Sequence, residues 1–109
     1  MYKIITLPHF YKQLKKLAKK YRSLKQAIIK TLENFNKKQG AHIGKNVYKI
    51  RVKSKDISRG KSKSFRLIVL IIEVKKYLVP ITIYFKGNKA DISKKEINYH
   101  LEIILAELQ

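Results

Sequence analysis

The stretch Phe65–Val74, FRLIVLIIEV, is almost continuously apolar, and it constrains the fold more than any other part of the chain. Charge interrupts it only at Arg66 and Glu73. A short β-rich run of this kind reads as a strand covered on both faces, central in a sheet. Its sequence neighbours supply the partners. From Val47 the pattern alternates: Val47, Lys49, Arg51 and Lys53 point one way, and Tyr48, Ile50 and Val52 the other. Lys75–Lys76 marks a tight turn into a third strand, Tyr77–Lys86, which Gly87-Asn88 ends. Pro80 cannot donate to a ladder, so this strand is expected to carry a bulge or lie at an edge. Ser54–Ser64 is polar and reads as a mobile loop, and Gly40 and Gly44 mark another loop.

Ahead of Gly40 the period is helical. Tyr2–Leu7 is a short first strand, and Pro8 suits the first turn of a helix. Phe10, Leu14, Leu17, Ala18 and Tyr21 recur on one face, with Lys12, Lys15, Lys16, Lys19 and Lys20 on the other. A break falls at Tyr21–Arg22. Ser23 with Gln26 is a capping-box pattern that opens a second helix running to about Asn36, burying Leu24, Ile28, Leu32 and Phe35. So short a joint predicts a helical hairpin. Ser93 with Glu96 repeats the capping pattern before a last helix that buries Ile97, Leu101, Ile104, Leu105 and Leu108. The expected order is strand, helix, helix, three strands, helix, in a single α+β domain spanning 1–109.

Charge sets the partner. Lys and Arg number 26 against 7 acids, a formal charge of +19. About 2–8 units suffice to keep a small domain soluble. Like charge in this excess raises the energy of the compact state, and an anionic partner offsets it. A membrane is disfavoured: a spanning helix needs about 20 apolar residues, and the longest apolar run, Leu67–Ile72, has six. The first residues lack the features of a secretory signal. The chain has no cysteine, which fits a cytoplasmic setting and excludes cysteine-ligated metal.

The residue types narrow the chemistry further. His9, His42 and His100 show no metal-ligand spacing, no glycine-rich phosphate loop is present, and no cofactor is expected. Asp91 and Glu96 are explicable as helix N-terminal charges. What remains is a basic sheet face. Lys49, Arg51 and Lys53 alternate on one strand, and antiparallel pairing brings Arg66 towards them. Tyr84 and Lys86 lie at the far end of the next strand. Converging cations stabilise the extra negative charge of a phosphoryl transition state. A row of strand lysines also serves as a solvated face that discourages edge pairing, and Tyr84 suits the rim of a core. From the residues alone the chain is a basic α+β domain binding a polyanion.

Several segments carry a resemblance: FYKQLKKLAKKYRSLKQAI in the hairpin, YKIRV and SFRLIV in successive strands, and ITIYFKGNKADIS before the closing helix. In this order and at this length the chain resembles the RelE/ParE superfamily of type II toxin–antitoxin toxins, above all its RelE/HigB-like mRNA interferases. The resemblance implies an N-terminal strand and helical hairpin on a curved, mainly antiparallel sheet, with a C-terminal helix. It implies a ribosome-dependent endonuclease that cuts mRNA in the ribosomal A site without metal, by 2′-hydroxyl attack on the adjacent phosphate. Matched by position, Lys49 and Arg51 flank nucleophile and phosphate, Arg66 clamps the transition state, Tyr84 stacks on a base and Lys86 protonates the leaving oxygen. Lys53, Lys55, Arg59, Lys61, Lys63 and Lys89 are the expected RNA-binding cations. The implied partner is an acidic cognate antitoxin, the free toxin being monomeric. A ParE-like inhibitor of DNA gyrase and a non-catalytic RNA-binding protein are the alternatives on the same fold.

Overall fold

The computed structural model describes residues 1–54 and 64–109. Its elements are β1 (Lys3–Ile4), α1 (Pro8–Lys20), α2 (Leu24–Glu33), β2 (Ala41–Gly44), β3 (Val47–Val52), β4 (Phe65–Ile72), β5 (Tyr77–Phe85) and α3 (Lys94–Glu107). The strands make one sheet in the order β1-β5-β4-β3-β2. β1 runs parallel to β5, and the other pairs are antiparallel. The apolar run is therefore the middle strand, and Phe65–Ile71 is buried throughout.

Register divides the sheet into two faces. Val52, Phe65 and Phe85 are cross-strand neighbours on one face. The helical hairpin covers it. Tyr21, the residue that closes α1, meets the Phe65 ring edge-on at 4.9 Å and lies 5.6 Å from Phe85. Phe10 and Leu14 of α1 and Leu24, Ile28 and Leu32 of α2 belong to the same apolar cluster. Removing that much apolar surface from water is the main favourable term of such a fold. α3 packs along β5 and against α1, with Ile104 fully buried.

The helix ends explain the local details. No acid lies in the first turn of α1. Glu107 of α3 supplies one instead, its two carboxylate oxygens each accepting from the His9 backbone N–H at 3.1 Å. A negative group there suits the positive end of the helix dipole. At α3 the expected cap forms, Ser93 Oγ accepting from Glu96 N–H at 3.1 Å. At α2 it does not. Ser23 has helical backbone angles, φ −87° and ψ −2°, and makes no side-chain cap bond; a capping side chain needs an extended backbone to turn back on the first N–H groups. α2 also stops at Glu33 instead of near Asn36, where Asn34 Nδ2 donates to the Lys30 carbonyl at 2.9 Å. Leu105, expected in the core, is exposed. It falls beside the stripe of Ile97, Leu101, Ile104 and Leu108.

The segment from Gly40 to Gly44 is a strand and not only a loop. β2 hydrogen-bonds the outer edge of β3, Ala41 facing Lys49 and His42 facing Tyr48, and the His42 and Tyr48 rings stack at 4.7 Å. Asn46 makes the turn with φ 60°, a conformation asparagine tolerates better than most residues. Pro80 behaves as expected. The β4–β5 register slips between Ile68 and Val69, so Ile81 is an extra residue opposite them, and β1 pairing ends at Leu78. The Gln13 side chain closes the gap, donating to the Ile81 carbonyl at 3.1 Å. At the opposite end, Glu73 accepts from Tyr2 at 2.6 Å and pairs with Lys37 at 2.7 Å, tying the N-terminus and the α2–β2 connection to the β4–β5 turn. Among the described residues no helix is long and apolar enough to cross a membrane.

Candidate functional site

The sheet face opposite the aromatic row carries the charge. In register, Arg51 of β3 faces Arg66 of β4, which faces Tyr84 of β5. Directly opposed residues of an antiparallel pair stand on the same face, about 4.5–5.5 Å apart at Cβ. Lys49 lies two residues along β3, beside Ile68. Lys49, Arg51, Arg66 and Tyr84 are thus brought together on three adjacent strands.

Their environments differ. Arg51 is exposed. Arg66 is only 6% exposed. Its Nη1 donates to Ser64 Oγ at 2.5 Å and lies 3.3 Å from the Ser64 carbonyl. Burial and the neighbouring Arg51 charge lower the Arg66 pKa, while Tyr84 acts in the other direction. An arginine nonetheless remains charged. Tyr84 is buried, and burial followed by the Asp91 charge pushes its hydroxyl up to about 12. At neutral pH it is a hydrogen-bond donor and no base.

Asp91 is the site residue that sequence reading assigned elsewhere. It does not lie in the first turn of α3, where Glu96 is the acid. It reaches back to the sheet, Oδ1 lying 3.3 Å from Lys49 Nζ and 3.4 Å from the Tyr84 hydroxyl, and 2.8 Å from the Ile92 backbone N. The Ile92 N–H and the Lys49 ammonium hold its carboxyl below the usual range. The signal available was its place as the lone acid between Tyr84 and the Ser93 cap.

The remaining expected residues separate. β3 ends at Val52, and Lys53 does not extend the row. It lines a groove of about 450 Å³ with Ser23, Gln26, Ala27 and Lys30 of the hairpin. Lys86 follows the end of β5 and is exposed, its backbone N–H bonded to the Ser64 carbonyl at 3.2 Å. Lys89 pairs with Glu96. Lys55, Arg59, Lys61 and Lys63 lie outside the described residues. A second basic surface lies on α1, where His9, Lys12, Gln13, Lys15, Lys16 and Lys19 line a trough of about 470 Å³. Among the described residues no group of three His, Cys, Asp or Glu could hold a metal.

Strand order and helix placement define an α+β class in which a helical hairpin and a C-terminal helix surround a mixed five-stranded sheet. A solved structure of the E. coli toxin RelE, an arginine double mutant in the free state, has this fold. It matches with a TM-score of 0.54 at 20% sequence identity, over 82% of this chain and 87% of that chain. A family model described as the RelE toxin of the RelE / RelB toxin–antitoxin system matches residues 6–107, and the chain belongs to that family. No curated protein sequence matches it. The protein is a toxin-family member, and its family implies a cognate antitoxin.

Proposed function

We propose that the protein is a toxin that cuts mRNA at the ribosome, through 2′-hydroxyl attack on the adjacent phosphate. The observation that carries this reading is the Arg51–Arg66–Tyr84 row with Lys49 beside it. In the proposed reaction the 2′-hydroxyl gives its proton to solvent, the 2′-oxygen bonds to phosphorus and the bond to the 5′-oxygen breaks, leaving a 2′,3′-cyclic phosphate and a 5′-hydroxyl. Arg51 and Arg66 stabilise the charge that develops on the phosphoryl oxygens. Preorganised donors in this role contribute about 10²–10³ each in rate. Lys49 stabilises the developing 2′-oxyanion. Tyr84 donates a hydrogen bond, in keeping with its raised pKa, and Lys86 protonates the leaving oxygen from the strand end. The chain's own cations carry the reaction, so it is proposed to run without metal.

The basic α1 trough fits a second, sequence-independent contact with ribosomal RNA. An acidic antitoxin, attracted by the +19 charge, would bind fast and in a salt-sensitive way. All of this is placed in the cytoplasm, in one domain spanning 1–109.

Induced expression in a bacterium, with mapping of message 5′ ends, tests the reading. New ends on translated messages, lost in the Lys49, Arg51 and Arg66 triple alanine variant, are expected. DNA breaks with intact message would instead indicate gyrase poisoning. RNA binding without new ends would indicate a non-catalytic protein.

A further inference from the structure

Three donors from different segments converge on one oxygen of Asp91. The Lys49 ammonium comes from β3, the Tyr84 hydroxyl from β5, and the Ile92 N–H from the approach to α3. An ammonium, a hydroxyl and an amide donating to a single anionic oxygen is how a protein also holds a phosphate oxygen. We infer that Asp91 occupies the seat of an RNA phosphate oxygen, so that RNA enters by displacing its carboxylate from Lys49 and Tyr84. The inference rests on the reading of this face as the RNA site, and it adds a residue that sets affinity there.

The surroundings suit a displaceable carboxylate. The Asp91 side chain is 70% exposed, whereas that of Lys49 is 28% exposed. Turning the carboxylate outward therefore uncovers little apolar surface. The backbone on either side is tethered: Lys89 pairs with Glu96, and Ser93 caps α3 through Glu96 N–H. The exchange needs only a side-chain rotation, with the loop in place. Tyr84, kept neutral by burial and by Asp91, retains the proton it needs to donate to the incoming oxygen. A role for Asp91 as general base fits less well, because donors that hold its carboxyl below the usual range also make it a weaker proton acceptor.

The test is a double-mutant cycle between Asp91→Asn and Lys49→Ala, read as binding of a uniformly 2′-O-methylated RNA oligonucleotide, which cannot be cleaved. Asn keeps an acceptor for the Ile92 N–H and loses the charge. Freeing the Lys49 ammonium from a partly exposed ion pair is worth about 1.5- to 5-fold in affinity. Asp91→Asn is expected to tighten binding by that factor, and to speed cleavage of ribosome-bound message at sub-saturating toxin concentration. In the Lys49→Ala background the gain should largely vanish, since no ammonium is then released. Asp91→Ala should behave as Asp91→Asn does. An equal gain in both backgrounds would reduce Asp91 to a general repulsive charge and overturn the seat. Unchanged binding with cleavage down about 100-fold at saturating RNA would make it a base, and overturn the seat as well. A wild-type protein that binds with the expected cycle and cuts nothing would sink the nuclease reading alone. Normal cleavage with a flat cycle would sink only this inference.

Discussion

Arg51 and Arg66 face each other directly across β3 and β4, two like charges in register on one sheet face. Such a pair is unfavourable by about 0.2–1 kcal/mol relative to neutral neighbours, and Arg66 sits at 6% exposure, where water screens it poorly. Among the described residues no acid pairs with either arginine. Arg51→Ala should therefore leave stability unchanged or raise it, while cleavage falls about 10²-fold. Urea unfolding and message-cleavage rates on the same preparation check both signs. A loss of stability parallel to the loss of activity would mean that Arg51 serves the fold.

Tyr84 gives a spectroscopic prediction. Its hydroxyl is held at about 12 by burial and by Asp91, and it is one of seven tyrosines. In an absorbance titration near 295 nm, Tyr84→Phe should remove the component that ionises last. For stability the sign is set by the unfolded chain. Below pH 10 both states hold the proton. Between about 10 and 12 the unfolded state loses it first, so stability falls as pH rises through that window. Tyr84→Phe should flatten this alkaline limb. If the latest-titrating component survives in the variant, the burial argument for Tyr84 fails.

The sheet was legible in the sequence wherever one pattern decided the matter. β4 is long and, but for Arg66, wholly apolar, so its central place followed from burial alone. The Arg51–Arg66 pairing followed from alternation plus an antiparallel partner. Several features were not legible. β2 is four residues long, Ala41–Gly44, and so short a segment shows no period; what holds it is the β3 edge and the His42–Tyr48 stack. Lys53 continued the alternation on paper, but the strand ends before it. Asp91 was hidden because its role depends on a loop returning to the sheet, a long-range contact that no local spacing encodes. The Ser23 cap failed for a related reason: the hairpin corner sets the backbone of Ser23, and the cap motif does not.

The contact between α1 and α3 predicts an acid-sensitive fold. His9 Nε2 and His100 Nδ1 are 2.7 Å apart, a hydrogen bond that requires at least one neutral ring. Burial, followed by the charge of His9, lowers the His100 pKa from 6.5; Lys89 acts in the same sense and Glu96 opposes. Tyr99 packs edge-on against both rings, and Glu107 holds the His9 N–H. Above pH 6.5 His100 is neutral in both states. As pH falls below that, the unfolded chain takes up the proton first, and stability is lost down through the folded-state pKa. The melting temperature should drop between pH 7.5 and 5.5, before most carboxylates titrate. His100→Asn should lessen that drop. An unchanged slope in the variant would assign the acid limb to other groups.

Gly87 and Gly44 differ in the room each leaves for a Cβ. A Cβ built on Gly87 would lie 2.3 Å from Cε2 and 2.5 Å from Cζ of Phe85, far inside contact distance. The ring has little room to retreat, because it packs at 5.2 Å from Phe65 and 5.6 Å from Tyr21. Overpacking of this kind costs about 1–3 kcal/mol. A Cβ on Gly44 would meet only Val47 Cβ, at 3.8 Å, an ordinary contact. Gly87→Ala should therefore destabilise the protein by that amount in urea unfolding, and Gly44→Ala by much less. Because Phe85 and Tyr84 are consecutive in β5, a shifted ring at Phe85 should also disturb the hydroxyl that meets Asp91. RNA cleavage should then fall in the Gly87 variant even at temperatures where it is fully folded. Equal stability in the two alanine variants would show that the Phe85 ring gives way freely, and that the aromatic row on one face does not hold the charged row on the other.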